Sequence, residues 1–527
     1  MIRRAAFALC PLTLALSGCA KAPPAAAPIP TVVAPVAAPT QPATPAATVL
    51  PEAATPPQPP PPRSKSVQEQ LQQAIDEVLG WPGVGRGTWG IIAQSLTSGD
   101  RLFEHNPRTL LVPASIAKLV SLAAAVDAVG WDYRFETTLR ATGPVVEGVL
   151  QGDLIVVGSG DPAIGGRAGD DFTGWVEAVK AAGIRRIQGR IIGDDDAIDD
   201  PRPGAMWAWD DLGYTTGVLF GALNYGENRM VVTVAPTIAA GGSVSITVDP
   251  QAATRPLNSR ARTGERGSPQ LLWPEQRPGE LSLTIAGSIP VDAPPVRMSV
   301  SAGNPTFWFV SVLRDSLIRA GVEVAGGAFD VDDLPAPPDR ESARVLYAYH
   351  SRPLSEIAQP LLKESINLYG EAVLRLSTGA GGGRTNDDAL QAIGQRLALW
   401  GLPTDTLQIV DGSGLSRRDA ASAEAFIAVL HRFYDGMGAS PWMTGMPVAG
   451  QDGTLEGRLK GTPAERNVRA KTGTMSNVRS LAGYLRTRDG EPLAFAIMVN
   501  NFEGTGAQAT AAIDAIAVRL ASFSRSQ

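Results

Sequence analysis

The chain is poor in the residues that usually build metal centres and covalent frameworks. It has two cysteines, Cys10 and Cys19, both within the first twenty residues, so the part that folds holds no disulfide framework and no cysteine metal site. Its three histidines, His105, His350 and His431, are far apart and show no ligand spacing, which removes support for a zinc site or a Ser-His-Asp triad. No G-x-S-x-G elbow occurs, so a serine nucleophile here needs a base other than histidine. No metal and no cofactor is expected. The formal charge of −6 leaves no basic patch that argues for nucleic acid. The apolar run Ala5 to Leu16 is too short to span a bilayer as a permanent helix.

What is present is an ordinary globular composition, 44% hydrophobic and 19% charged, over 527 residues. That length exceeds one hydrophobic core and predicts two or three domains. Met1-Ile2-Arg3-Arg4 ahead of the apolar run reads as an export signal. Its end, Leu16-Ser17-Gly18-Cys19, resembles a bacterial lipoprotein signal, which implies lipid on Cys19 and a mature chain beginning there; an ordinary secretory signal cleaved near Ala20 is the alternative. Residues 20–65 are dominated by Ala, Pro, Thr and Val and cannot bury enough surface to fold. As a semi-extended spacer they reach on the order of 100 Å. The expected product is an exported protein, periplasmic or in the cell envelope, anchored to a membrane through Cys19.

Three short patterns occur once each. Ser115-x-x-Lys118 opens an apolar stretch running to Val129 with Gly130 as a stop. Residues three apart share a helical face, so the Lys118 amine reaches the Ser115 hydroxyl, a nucleophile with its own base. The amine must be neutral to act, which needs burial or a second cation nearby. Ser365-x-Asn367 leads into a helical pattern ending at Leu376, and Lys471-Thr472-Gly473 enters a hairpin of Val478–Arg486 and Leu493–Asn500.

Elsewhere, Val67 to Leu79 has helical spacing, and Trp89–Leu96 with Arg101–His105 reads as a hairpin. The stretch between the first two patterns reads as short strands (Leu150–Val157, Arg186–Gly193, Met230–Ala235, Val244–Val248, Leu281–Ala286, Val296–Val300) with one helix at Thr306–Ala320. These assignments give a body of residues 66–145 and 345–527, split by a mainly-β insert of one or two domains at 146–344. The run Asp194-Asp195-Asp196 with Asp199-Asp200 reads as a solvated turn rather than a calcium site. Trp207 and Trp209 line a cleft or fill a core.

The set S-x-x-K, S-x-N, K-T-G belongs to penicillin-binding proteins and serine β-lactamases. With Gly158-Ser159-Gly160-Asp161-Pro162, Asp411-Gly412-Ser413-Gly414-Leu415-Ser416-Arg417 and Gly453-Thr454-Leu455, residues 66–520 resemble the D-alanyl-D-alanine carboxypeptidase/endopeptidase family of class C low-molecular-mass penicillin-binding proteins, peptidase family S13. The resemblance implies an α/β (α+β) fold, a transpeptidase-like domain of antiparallel sheet and helices split by the insert. It implies peptidoglycan stem peptides as substrate and β-lactams as inhibitors. It assigns Ser115 as nucleophile, Lys118 as base, Ser365 as proton relay, Asn367 as holder of the peptide amide, and Lys471 as the second cation. Lys471 and Thr472 would take the substrate carboxylate in the Lys471-Thr472-Gly473 strand, Thr474 and Ser115 would give oxyanion N–H groups, and Arg417 would shape the carboxylate pocket. Ser476 stands where relatives often carry glutamine, and the insert of some relatives offers an acid to the substrate side chain, a role sought here near Glu227. A serine β-lactamase, a small-ester esterase and a non-catalytic peptidoglycan-binding lipoprotein are the alternatives.

Overall fold

The computed structural model describes residues 66–199, 203–251, 255–277, 279–380, 385–403, 405–436 and 440–526. The export signal, Cys19 and the spacer lie outside the described residues, as does Asp200. Among the described residues no helix is long and apolar enough to cross a membrane.

The first helix, Val67–Leu79, starts where the Ser66 hydroxyl and the Glu69 carboxylate satisfy each other's backbone N–H groups, and it buries Leu71, Ile75 and Val78. With the final helix, Gly506–Ser522, it covers one face of a five-stranded antiparallel sheet. The strand order is Arg101–His105, Thr88–Ser95, Pro492–Asn500, Val478–Arg486, Arg469–Met475. The middle strand Pro492–Asn500 is buried at every residue but the first, because helices lie on both sides of it. The second face carries a helical layer around Ala117–Val129, whose first nine residues are all buried. That is the central apolar helix expected from sequence, with its first turn tightened into a 3₁₀ turn at Ala114–Ile116.

Residues between the two body segments build a second core. Its main sheet runs Ala328–Asp330, Ile191–Asp194, Leu154–Val157, Glu136–Ala141, Arg344–His350, with the first three strands parallel. The expected boundaries at 145/146 and 344/345 fall inside this part: Glu136–Ala141 pairs with Arg344–His350 and with Leu154–Val157. The chain crosses between the parts nearer Phe135 and Ser351, which hold each other through Phe135 N–H to Ser351 Oγ and Ser351 N–H to the Phe135 carbonyl, both 2.9 Å. A helix at Thr173–Ala181 joins the expected one, found at Pro305–Arg319. Its nine residues start with no side-chain cap, and so gave little sequence signal.

The acidic run is not a solvated turn throughout. Asp194 ends a buried strand and accepts from Arg340 Nη1 at 2.7 Å. Asp195 is buried against the Thr306 hydroxyl, with the Asp330 and Asp332 carboxylates within 4.8 Å, and burial pushes its carboxyl up to about 7. The chain turns inward here to meet the Pro305–Arg319 helix, leaving Asp196 exposed.

Buried Tyr484 ties the sheet to the helical layer: its hydroxyl donates to the Leu430 carbonyl at 2.6 Å and accepts from Trp442 Nε1 at 3.0 Å. Tyr484→Phe leaves both partners unpaired out of water, a cost of about 1–3 kcal/mol. Thermal unfolding of the variant should show a lower Tm than wild type; an unaltered Tm would contradict this role.

Candidate active site

The site forms where the 3₁₀ turn meets the edge strand Arg469–Met475. Ala114 has φ of 51°, a left-handed conformation for a residue with a side chain. The turn is gripped from both sides by glycines. A Cβ on Gly414 would lie 2.1 Å from the Ala114 carbonyl oxygen, and one on Gly473 would lie 2.0 Å from Ser480 Oγ and 2.6 Å from the Pro113 oxygen. Ser480 Oγ donates to that Pro113 oxygen at 2.7 Å. The strained turn leaves Ser115 half-buried at the head of the helix.

Lys118 is fully buried. Its Nζ lies 2.9 Å from Ser115 Oγ, 2.7 Å from Asn367 Oδ1 and 2.6 Å from the Ser413 carbonyl oxygen. Burial lowers its pKa to about 7, against the opposing pull of Asp411, Glu371 and Asp419. Lys471 is equally buried, and its Nζ donates to Ser365 Oγ at 2.7 Å and to the Thr472 carbonyl at 2.8 Å. Burial first, then the charge of Lys118, hold it well below the ordinary lysine value. The second buried amine expected from sequence lies near the first, and burial is the leading cause that lowers both Lys118 and Lys471.

Ser365 has φ of 62° and precedes the helix Asn367–Leu376. Asn367 donates through Nδ2 to the Thr216 carbonyl at 2.8 Å, which leaves its Oδ1 for Lys118. Thr472 is buried and its hydroxyl meets that of Thr454 at 2.8 Å, while Thr474 is exposed farther along the strand. Arg417 is exposed and donates to the Ser476 carbonyl at 3.3 Å. The structure thus gathers Ser115, Lys118 and Asn367 into one hydrogen-bonded group and Lys471 with Ser365 into a second, close enough for the charge of Lys118 to act on Lys471, with Thr472, Gly473 and Thr474 following Lys471 on its strand. A buried amine against a serine hydroxyl can accept that proton and activate the oxygen.

The model of the D-Ala-D-Ala carboxypeptidase 3 (S13) family matches residues 71–523. The chain belongs to the S13 family. Across 471 residues it is 34% identical to the D-alanyl-D-alanine carboxypeptidase of Actinomadura sp. (strain R39), covering 87% of this chain and 86% of the relative. It is 25% identical over 417 residues to D-alanyl-D-alanine carboxypeptidase DacB of Haemophilus influenzae, covering 78% of this chain and 85% of that one. The fold matches the crystal structure of penicillin binding protein 4 (dacB) from Haemophilus influenzae with a TM-score of 0.74 and 23% identity, covering 85% of this chain and 98% of that chain.

Within this S13 site, Glu227 does not offer a free acid. It is buried with φ of 60°, and its carboxylate is held by Arg167 and by Arg229 at 3.1 Å. It lines a 190 Å³ cavity beside Ser365 and Asn367, already neutralised. Sequence reasoning missed Thr454 as the partner of Thr472, the carbonyls of Thr216 and Ser413, and Glu371. Glu371 carried a usable signal, four residues after Asn367 and so on the same helical face. The Trp207 indole donates to Asp411 at 2.8 Å, whereas Trp209 is exposed.

Gly473→Ala should displace the edge strand from the serine turn, because the added methyl meets a backbone carbonyl that cannot yield. Acylation of the folded variant by a fluorescent penicillin should fall by at least about tenfold, the loss expected when reacting groups are moved apart. Labelling at the wild-type rate would show that the close approach is not needed.

Proposed function

We infer that this S13 enzyme is a serine-type D-Ala-D-Ala carboxypeptidase acting on peptidoglycan stem peptides, inhibited by β-lactams, with endopeptidase action on cross-links open to the same site. The observation that carries the reading is the fully buried Lys118 amine at 2.9 Å from Ser115 Oγ. In this mechanism neutral Lys118 takes the Ser115 proton as Oγ attacks the carbonyl of the penultimate D-alanine. The N–H groups of Ser115 and Thr474 receive the oxyanion, each such donor typically contributing about 3 to 4 kcal/mol. Ser365, bonded to Lys471, passes a proton to the leaving nitrogen as the C–N bond breaks, and terminal D-alanine departs. Water then attacks the Ser115 ester, releasing the shortened peptide. Asn367 holds the substrate amide, Lys471 and Thr472 hold the terminal carboxylate, and Arg417 shapes its pocket.

Full-length protein incubated with benzylpenicillin should gain an adduct on the peptide holding Ser115, absent in Ser115→Ala, by mass spectrometry. Because protonated Lys118 is inactive and its pKa is about 7, the rate should rise roughly tenfold per pH unit below that value and level off above it. No adduct and no drug turnover would overturn the acyl-enzyme; rapid drug loss without adduct would point to a β-lactamase.

The same reading makes the protein an exported, lipid-anchored enzyme of the cell envelope. The Leu16-Ser17-Gly18-Cys19 sequence supports lipidation of Cys19, and residues 20–65 supply a spacer. Cys19→Ala should move the protein from the membrane to the soluble fraction on cell fractionation, and an unchanged distribution would refute the anchor.

A further inference from the structure

One turn of helix controls both acceptors of the Lys118 amine besides Ser115. Asn367 and Glu371 are four residues apart on Asn367–Leu376, on one face of that helix. Asn367 meets Lys118 directly. Glu371 is buried and acts one step removed: its Oε1 accepts the Ser413 N–H at 2.9 Å, and its two oxygens lie 3.1 and 3.2 Å from the Gly412 nitrogen. The Ser413 carbonyl of the same loop accepts from Lys118 at 2.6 Å. The Gly412–Ser413 peptide that carries the N–H held by Glu371 is fixed on its other side too, with the Gly412 carbonyl taking the Ser121 hydroxyl at 3.0 Å. Helix and loop meet backbone to backbone, since a Cβ on Gly412 would lie 2.2 Å from the Gly370 oxygen.

A neutral amine has two N–H groups and one lone pair. With Asn367 Oδ1 and the Ser413 oxygen taking the two hydrogens, the lone pair faces Ser115 Oγ. Without the Ser413 acceptor the amine can turn about its last bond and present hydrogen to the serine instead. We propose that Glu371 is a positioning residue for the base, orienting the Lys118 lone pair by holding the backbone N–H of Ser413, the residue whose carbonyl takes the amine hydrogen. The inference rests on the reading of Lys118 as base. Two other buried acids hold the loop: Asp411 accepts from the Gly414 N–H, which lies on the same peptide unit as the Ser413 carbonyl, and from the Ser416 N–H, while Asp419 accepts from the Val410 N–H. The Asp419 bond to Val410 touches neither the 412–413 nor the 413–414 peptide, which makes Asp419 a control for general loosening of the loop.

The test measures benzylpenicillin acylation of the full-length chain, separating the saturating rate from the dissociation constant, on the pH plateau above about 7. The groups facing Lys118 are the Asp411, Glu371 and Asp419 carboxylates and the Lys471 amine. Removing a carboxylate from this set lowers the lysine pKa, which by itself leaves more neutral base, so lost charge does not explain a slower plateau. For Glu371→Gln the saturating rate should fall about 10- to 100-fold, part of what a positioned base contributes, with the dissociation constant within about twofold of wild type. Glu371→Asp should recover part of the rate, and it serves as the test variant if Glu371→Gln does not fold. A Glu371→Gln rate equal to wild type overturns the inference, and so does an equal loss in Asp419→Asn. Wild-type protein that forms no adduct would sink the proposed function rather than this inference.

Discussion

Two lysine amines buried side by side are the constraint on which this structure depends. Moving an ammonium group out of water is expensive unless its hydrogens are taken and its charge is relieved. Lys118 and Lys471 meet that demand in two ways. Both titrate lower than an ordinary lysine, and both have acceptors within hydrogen-bond distance. The acceptors come from the serine turn, the Ser365–Asn367 segment, the 411–417 loop and the edge strand. The fold has to bring four stretches of chain, spread over more than three hundred positions, to within a few ångströms of two nitrogens. The same burial that makes the site costly makes the Lys118 amine a base near neutral pH.

The backbone around these amines is held in conformations that an isolated chain would avoid. Ala114 and Ser365 both have positive φ, each at a cost of about 1–3 kcal/mol. They persist because their surroundings leave no alternative. The turn before Ser115 is wedged between Gly414 and Gly473, and Ser480 fixes the Pro113 carbonyl. The helix that follows is apolar on every side and cannot rotate without exposing leucine or valine. Strain at the nucleophile is thereby supported by the core, and the serine oxygen is presented with little freedom of its own.

This division explains what the sequence made legible. Ser115, Lys118, Ser365, Asn367 and Lys471 announce themselves by residue type and spacing, and their helix and hairpin contexts follow from periodicity alone. The carbonyls of Ser413 and Thr216 carry no such mark, because every residue has one and only the fold decides where it points. Asp194 and Asp195 misled for the converse reason. A run of aspartates is usually solvated, but here the strand Ile191–Asp194 ends against a helix that the short-range pattern placed without saying what it packs on. The short helix at Thr173–Ala181 was lost because nine residues without a side-chain cap give little periodic signal.

The residues between Phe135 and Ser351 are more than an appended module. Thr216 accepts from Asn367 Nδ2, and that bond decides which end of the amide faces Lys118. Trp207 donates to Asp411 and Ala205 accepts from Ser416, so the same stretch braces the loop bearing Ser413. Asp199 lies 3.5 Å from Arg375, which lies 3.7 Å from Glu371. Both acceptors at the amine are thus backed by Asp199, Ala205, Trp207 and Thr216, which touch neither Lys118 nor Ser115 through these bonds. The loop that they brace carries both the Ser413 carbonyl at Lys118 and Gly414, which grips the serine turn at Ala114, so these hydrogen bonds support the amine and the turn together.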